Sequence, residues 1–140
     1  MTWIFEWVKF DQDTSPYYGY VYIIENLING KRYIGRKYFT AAGYKQVNGK
    51  RKKIRKPSNW EDYFGSNAEL LKDVKIHGAN KFTRTILRLC KTRSECSYYE
   101  TLYQFENRVL ESNEWYNSWI QCKIHKRHIT NIMESTNGKG

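Results

Sequence analysis

The sequence predicts a small α+β domain, a three-stranded antiparallel sheet flanked by helices. Three observations lead there. Two β-prone runs flank Asn29-Gly30. Two Ser/Thr-x-x-Glu signals, Ser66 to Glu69 and Thr92 to Glu95, each precede a helix-compatible stretch. A β-branched run, Phe82 to Leu89, lies between those stretches. A chain of 140 residues suits one domain and can bury a core without staples. The expected organisation is a single domain over 1–133, with a basic insertion at about 45–57 and a flexible tail at 134–140. A separate specificity domain would not fit as well.

The first element is the hairpin. A type I′ turn at Asn29-Gly30 pairs Ile28 with Lys31, Asn26 with Tyr33, Ile24 with Gly35 and Tyr22 with Lys37. Tyr22, Ile24, Tyr33, Gly35 and Lys37 then share one face. Val21, Ile23, Ile34 and Arg36 share the other, which reads as the core side. Two tyrosines around a glycine predict an open polar patch, where a phosphate or water reaches the backbone. Taken alone, both tyrosines read as ordinary strand aromatics.

The insertion follows. Lys45, Lys50, Arg51, Lys52, Lys53, Arg55 and Lys56 occur with no acid between them, and Asn48-Gly49 offers a small turn. Such a run reads as a solvated loop, or beside a nucleic-acid site as a phosphate-binding arm. Pro57-Ser58 marks its end. Ser66 as N-cap with Glu69 predicts a helix that turns Leu70, Leu71 and Val74 inward and stops at Gly78. Phe82 to Leu89 alternates imperfectly, and its β-branched content favours a strand. Thr92 then caps a helix from about Glu95 to Glu111, with Cys96, Glu100, Tyr103 and Asn107 on one face. Trp115 to Ile132 has no clear period.

Composition narrows the function. Net charge is +10, with twelve Tyr and five Trp. Such a charge on a small domain points to a polyanion, and the aromatics supply a core and a stacking surface. No lipidation motif, basic amphipathic helix, signal peptide or apolar span supports a membrane. Cys90, Cys96 and Cys122 are odd in number and irregular in spacing, which fits a reducing compartment. Cys122-x-x-His125-x-x-His128 lacks a fourth zinc ligand. With Lys123, Lys126 and Arg127 it reads better as a basic edge.

Tyr20-Val21-Tyr22, Ile24, Asn26, Asn29-Gly30-Lys31 and Tyr33-Ile34-Gly35 resemble the GIY-YIG nuclease signature. Ten residues separate Tyr22 from Tyr33, as that signature requires. Tyr63-Phe64-Gly65-Ser66, Lys75 to Phe82 and Ile86-Leu87 resemble its phage-encoded branch related to homing endonucleases. Glu100, within Tyr99-Glu100-Thr101-Leu102-Tyr103, and Tyr116-Asn117 complete five blocks in order. The resemblance implies a metal-dependent endonuclease that cuts double-stranded DNA with Mg²⁺ or Mn²⁺, of homing type or directed at host or competitor DNA. Its setting would be the cytoplasm of a bacterial host, as monomer or homodimer with no protein partner evident. Glu100 would hold the metal. Tyr22 would orient or deprotonate the attacking water, helped by Tyr33, with phenol pKa values lowered by the metal or by Arg36 and Lys37. Gly35, Ser66, Asn117 and the cations Lys50, Arg51, Lys52, Lys53, Arg55 and Lys56 would contact nucleic acid.

Two departures stand out. Tyr20 replaces the opening glycine of the first motif, which affects packing. The family's helical arginine would fall at Gly43; of the nearby cations, Lys37 shares the tyrosine face. The missing arginine motivates a second expectation, a module that binds DNA or RNA but has lost the chemistry. The two diverge on whether Glu100 meets the tyrosines.

Overall fold

A computed structural model describes residues 2–137, with side chains through 134. The strands are β1 (Ile4–Phe5), β2 (Val8–Lys9), β3 (Gly19–Asn26), β4 (Arg32–Tyr38), β5 (Thr40–Val47), β6 (Lys50–Pro57) and β7 (Phe82–Cys90). The helices are α1 (Ala68–His77), α2 (Arg93–Glu106) and α3 (Lys126–Asn137). The main sheet runs β2-β1-β7-β3-β4, and β5-β6 form a separate ribbon. The expected antiparallel trio, β7-β3-β4, forms one side of it, with β4 at the edge. The sheet nevertheless has five strands rather than three, and β1 joins β7 in parallel. The turn between β1 and β2 places Glu6 at φ 49 and Trp7 at φ 72. Neither residue type announces such a turn.

The β3–β4 hairpin differs in register. Tyr22 pairs with Gly35 and Ile24 with Tyr33, two residues from the expected pairing. The loop is Leu27 to Gly30, closed by Asn26 N–H donating to the Lys31 carbonyl and Gly30 N–H to the Asn26 carbonyl, each at 2.8 Å. Only Gly30 has positive φ there, so no type I′ turn forms. Asn26 explains the difference. Its Oδ1 accepts from Ile28 N–H, and its buried Nδ2 donates to the Tyr116 hydroxyl at 2.9 Å. A shift of two preserves the expected faces, but both faces are core.

One face holds Tyr20, Tyr22, Ile24, Phe82 and Ile86 with Trp3, Phe10, Phe39, Leu70 and Tyr116. Tyr20, in place of glycine, is fully buried against Trp3 and Phe39. The other face packs Val21, Ile34 and Cys90 on Cys96, Val109 and Trp115. Burying a side chain of Leu or Ile size contributes about 1.5–3 kcal/mol, so the sheet is fixed from both sides. The imperfect alternation of β7 is a bulge: Val21 faces Arg88 while Tyr22 faces Ile86, leaving Leu87 extra.

The helix starts are local. Asn67, not Ser66, caps α1 by accepting from Leu70 N–H. Leu70 is buried and Val74 packs on the core, but Leu71 is 43% exposed. Gly78 ends α1 at φ 90. Thr92 caps α2 as expected, accepting from Glu95 N–H. That helix stops at Glu106 rather than Glu111, because Arg108 takes φ 52. Helix α3 includes 134–137 of the segment expected as tail, and 138–140 lie outside the described residues. All three cysteines are free. No described helix is long and apolar enough to cross a membrane.

Candidate active site on the edge of the sheet

Strand β4 is a sheet edge, and its outward backbone groups at Arg32 and Ile34 are met. Arg32 N–H donates to the Glu114 carbonyl, and Tyr116 N–H donates to the Arg32 carbonyl. Asn117 Oδ1 accepts from Ile34 N–H at 3.1 Å, while its Nδ2 donates to the Ile34 carbonyl at 2.9 Å. Gln104 Nε2 reaches the same carbonyl at 3.0 Å. Beyond them Arg36 Nη1 donates to Glu100 Oε1 at 2.8 Å.

A cavity of about 300 Å³ opens along this edge. It gathers six of the expected residues: Tyr22, Tyr33, Arg36, Ser66, Glu100 and Asn117. Glu100 thus meets the tyrosines from the helix side of β4. Gln104, one turn on from Glu100 along α2, shares the wall and could have been found by i, i+4 spacing. Ser118, Trp119 and Gln121 also line it; the aperiodic segment that carries them gave no signal. Thr101 Oγ1 donates to the Gln121 carbonyl at 3.2 Å and holds that segment to α2. Trp119 stays 68% exposed at this wall.

The tyrosine patch is not open. Tyr22 is 1% exposed, wedged among Trp3, Tyr33 and Tyr63. Gly35 lies beneath the two phenols. A Cβ there would meet Tyr22 Oη at 2.5 Å and Tyr33 Cε1 at 2.9 Å. Its missing side chain admits the rings rather than a phosphate.

Electrostatics follow burial. Desolvation, then Tyr63 and Tyr33, push the Tyr22 phenol well above its ordinary value. Desolvation also raises Tyr33, opposed by a hydrogen bond from Ser66 and reinforced by Glu100. The nearby cations therefore do not lower either phenol, because removal from water outweighs them. Glu100 is raised by burial, with Arg36 pulling the other way. Burial opposes the Arg36 charge, yet Glu100 holds its pKa above the usual value.

Lys37 shares the tyrosine face but lies over the Tyr63 ring, 4.2 Å away, outside this cavity. Arg36, on the opposite face, is the cation that enters it. Gly43 sits on the ribbon opposite Ile54. Lys50, Arg51, Lys52, Lys53, Arg55 and Lys56 all belong to β6, so the expected loop is an ordered hairpin. Both polar groups of Asn117 are spent on Ile34. Tyr63, missed as a site residue although its motif was visible, hydrogen-bonds the Tyr22 hydroxyl.

A family profile described as "Putative endonuclease segE, GIY-YIG domain" matches residues 3–120. The chain belongs to the GIY-YIG endonuclease family. A relative from Enterobacteria phage T4, described as a segE endonuclease of that same standing, is 34% identical over 100 residues. That match covers 71% of this GIY-YIG chain and 40% of the relative, so the chain spans about 40% of the relative's length. No solved structure matches.

Proposed function

We propose that this GIY-YIG chain is a divalent-metal-dependent endonuclease that hydrolyses phosphodiester bonds in double-stranded DNA, encoded by a phage and acting in the host cytoplasm. The observation that carries this reading is the convergence of Tyr33, Arg36 and Glu100 on one polar cavity.

The donor set fits a hard cation. Arg36 takes Glu100 Oε1, and Oε2 is the atom that would hold Mg²⁺ or Mn²⁺. Among the described residues no three His, Cys, Asp or Glu side chains gather around a common point. Water and phosphate oxygens would fill the other positions, as Mg²⁺ favours. When bound, the ion supplies polarisation of the phosphodiester and charge for the leaving oxygen.

The chain's own groups divide the remaining work. Tyr33 keeps its proton at neutral pH, so it orients water or a phosphate oxygen by hydrogen bonding rather than as a phenolate. Tyr22 supports it from below. Arg36 carries a planar fork suited to phosphate oxygens and stands where the family arginine would be needed. Trp119 offers an exposed ring for an unstacked base, and the β5–β6 ribbon supplies phosphate contacts.

Supercoiled plasmid incubated with Mg²⁺ or Mn²⁺ should be nicked or linearised. Glu100→Gln keeps the shape and removes the charge, and should slow cutting by at least about 100-fold while leaving DNA binding in place. Undiminished cutting by Glu100→Gln would remove this mechanism. Salt-sensitive binding by the wild-type chain without cutting under any divalent ion would instead leave a binding module.

A further inference from the structure

A second cavity, of about 300 Å³, lies between the foot of the β5–β6 ribbon and the start of α2. Arg36, Lys37, Arg55 and Arg93 line it, and no carboxylate does. Of these four, only Arg36 pairs with a carboxylate among the described residues. Tyr18 and Tyr38, edge to face at 4.8 Å, form its aromatic wall. Arg55 lies over Tyr18 at 5.6 Å, while Arg36 and Arg93 each lie 5.9 Å from the Tyr38 ring.

Three features mark a preformed anion site. Arg55 is fixed before any ligand arrives: its Nε donates to Thr40 Oγ1 at 3.1 Å and its Nη2 to the Thr40 carbonyl at 2.8 Å. The buried Tyr38 hydroxyl hydrogen-bonds Arg36 and supports its charge at the cleft wall. Arg55 and Arg93 have no carboxylate partner among the described residues, so an anion between them is favoured.

Arg36 lines both cavities. A strand whose phosphate sits by Glu100 therefore passes Arg36 directly into the second cleft. We infer that this cleft binds a neighbouring backbone phosphate of the same DNA strand, held by Arg93 and Arg55. The inference rests on the nuclease reading for its substrate but not for its charge chemistry. It gives the ribbon a second purpose, since Arg55 at its foot closes the cleft and sets the strand's path.

The test uses the full chain in EDTA, so that binding is read without cutting, and a fluorescent duplex followed by anisotropy across a chloride series. Arg93→Gln changes an exposed side chain outside the cutting cavity. It should weaken binding several-fold and reduce the log–log salt slope by about 0.9, the value of one lost phosphate contact. Arg93→Lys should restore the slope. Methylphosphonate substitution, one position at a time beside a mapped nick, should weaken wild-type binding at one flanking position and leave Arg93→Gln indifferent there. An unchanged slope in Arg93→Gln, or losses that simply add at every position, would overturn the inference. Inorganic phosphate should compete no better than chloride at matched ionic strength; displacement of DNA by micromolar phosphate would assign the cleft to a free anion and overturn it too. If plasmid is never cut but the slope still falls, the cleft stands and the nuclease reading fails. If Glu100→Gln abolishes cutting and Arg93→Gln changes nothing, the reverse holds.

Discussion

Gly35→Ala tests the construction of the site with the least chemical change. Gly35 is buried on β4 without an unusual φ, so alanine suits the backbone and only space is at issue. The added Cβ would stand 2.5 Å from Tyr22 Oη, 2.8 Å from Tyr22 Cζ and 2.9 Å from Tyr33 Cε1. Carbon atoms in proteins do not sit so close, so a ring must move. Tyr22 cannot yield easily, since Trp3, Tyr20 and Tyr63 have centroids 5.3, 5.9 and 6.0 Å from its own. Overpacking of this kind costs about 1–3 kcal/mol, which for a domain of this size is a fall in Tm of about 3–10 °C. The ring freer to move is Tyr33, and its displacement carries the hydroxyl away from Glu100 and Arg36. Calorimetry and plasmid nicking, run together, should therefore fall together. Tyr22→Phe removes the atom at 2.5 Å but leaves Cζ, so the double variant should recover part of the stability lost. A Tm unchanged within about 1 °C with wild-type cutting would refute the packing account.

Two further outcomes follow from the same geometry. Asn117→Ala orphans Ile34 N–H and removes one of two donors to the Ile34 carbonyl, so a denaturant midpoint should reveal a loss of about 2–4 kcal/mol; activity lost at unchanged stability would mean that Asn117 contacts DNA instead. Tyr20 and Tyr22 are raised above the ordinary 10.0 by burial, so above pH 10 the unfolded chain releases protons that the native one retains, and stability should fall by about 1.4 kcal/mol per pH unit for each such phenol. Thermal melts across that range, with Tyr22→Phe removing one phenol's share of the slope, check it; a flat alkaline profile would contradict the burial.

What was legible was parity and chemistry; what was not was anything set by distant contacts. Tyr22, Tyr33 and Arg36 took their expected faces although the loop was wrong, because a register shift of two leaves alternation intact. The chain has three Asn-Gly pairs, and the first two turn differently. Asn48-Gly49, at φ 52 and 75, makes the tight two-residue turn, while Asn29-Gly30 is overridden by the bond from Asn26 to Tyr116, ninety residues away. The ribbon read as loop because neither of its faces is apolar; Tyr44 under Arg51 at 3.8 Å is its main side-chain contact near the tip. Glu6, Trp7 and Arg108 turn the chain at positive φ without being glycine or asparagine, so no local signal existed. Burial of the tyrosine face was missed because its cover, Trp3, Leu70 and Tyr116, comes from three separate stretches.

The capped margin of β4 has a consequence for assembly. Residues 114–117 and the amides of Gln104 and Asn117 occupy the hydrogen-bonding positions that another strand would need, so this border cannot recruit a sister chain by zipping. The opposite border ends in a two-residue strand, too short to template much. Pairing of two copies would therefore have to use side-chain surfaces or the free edges of the β5–β6 ribbon.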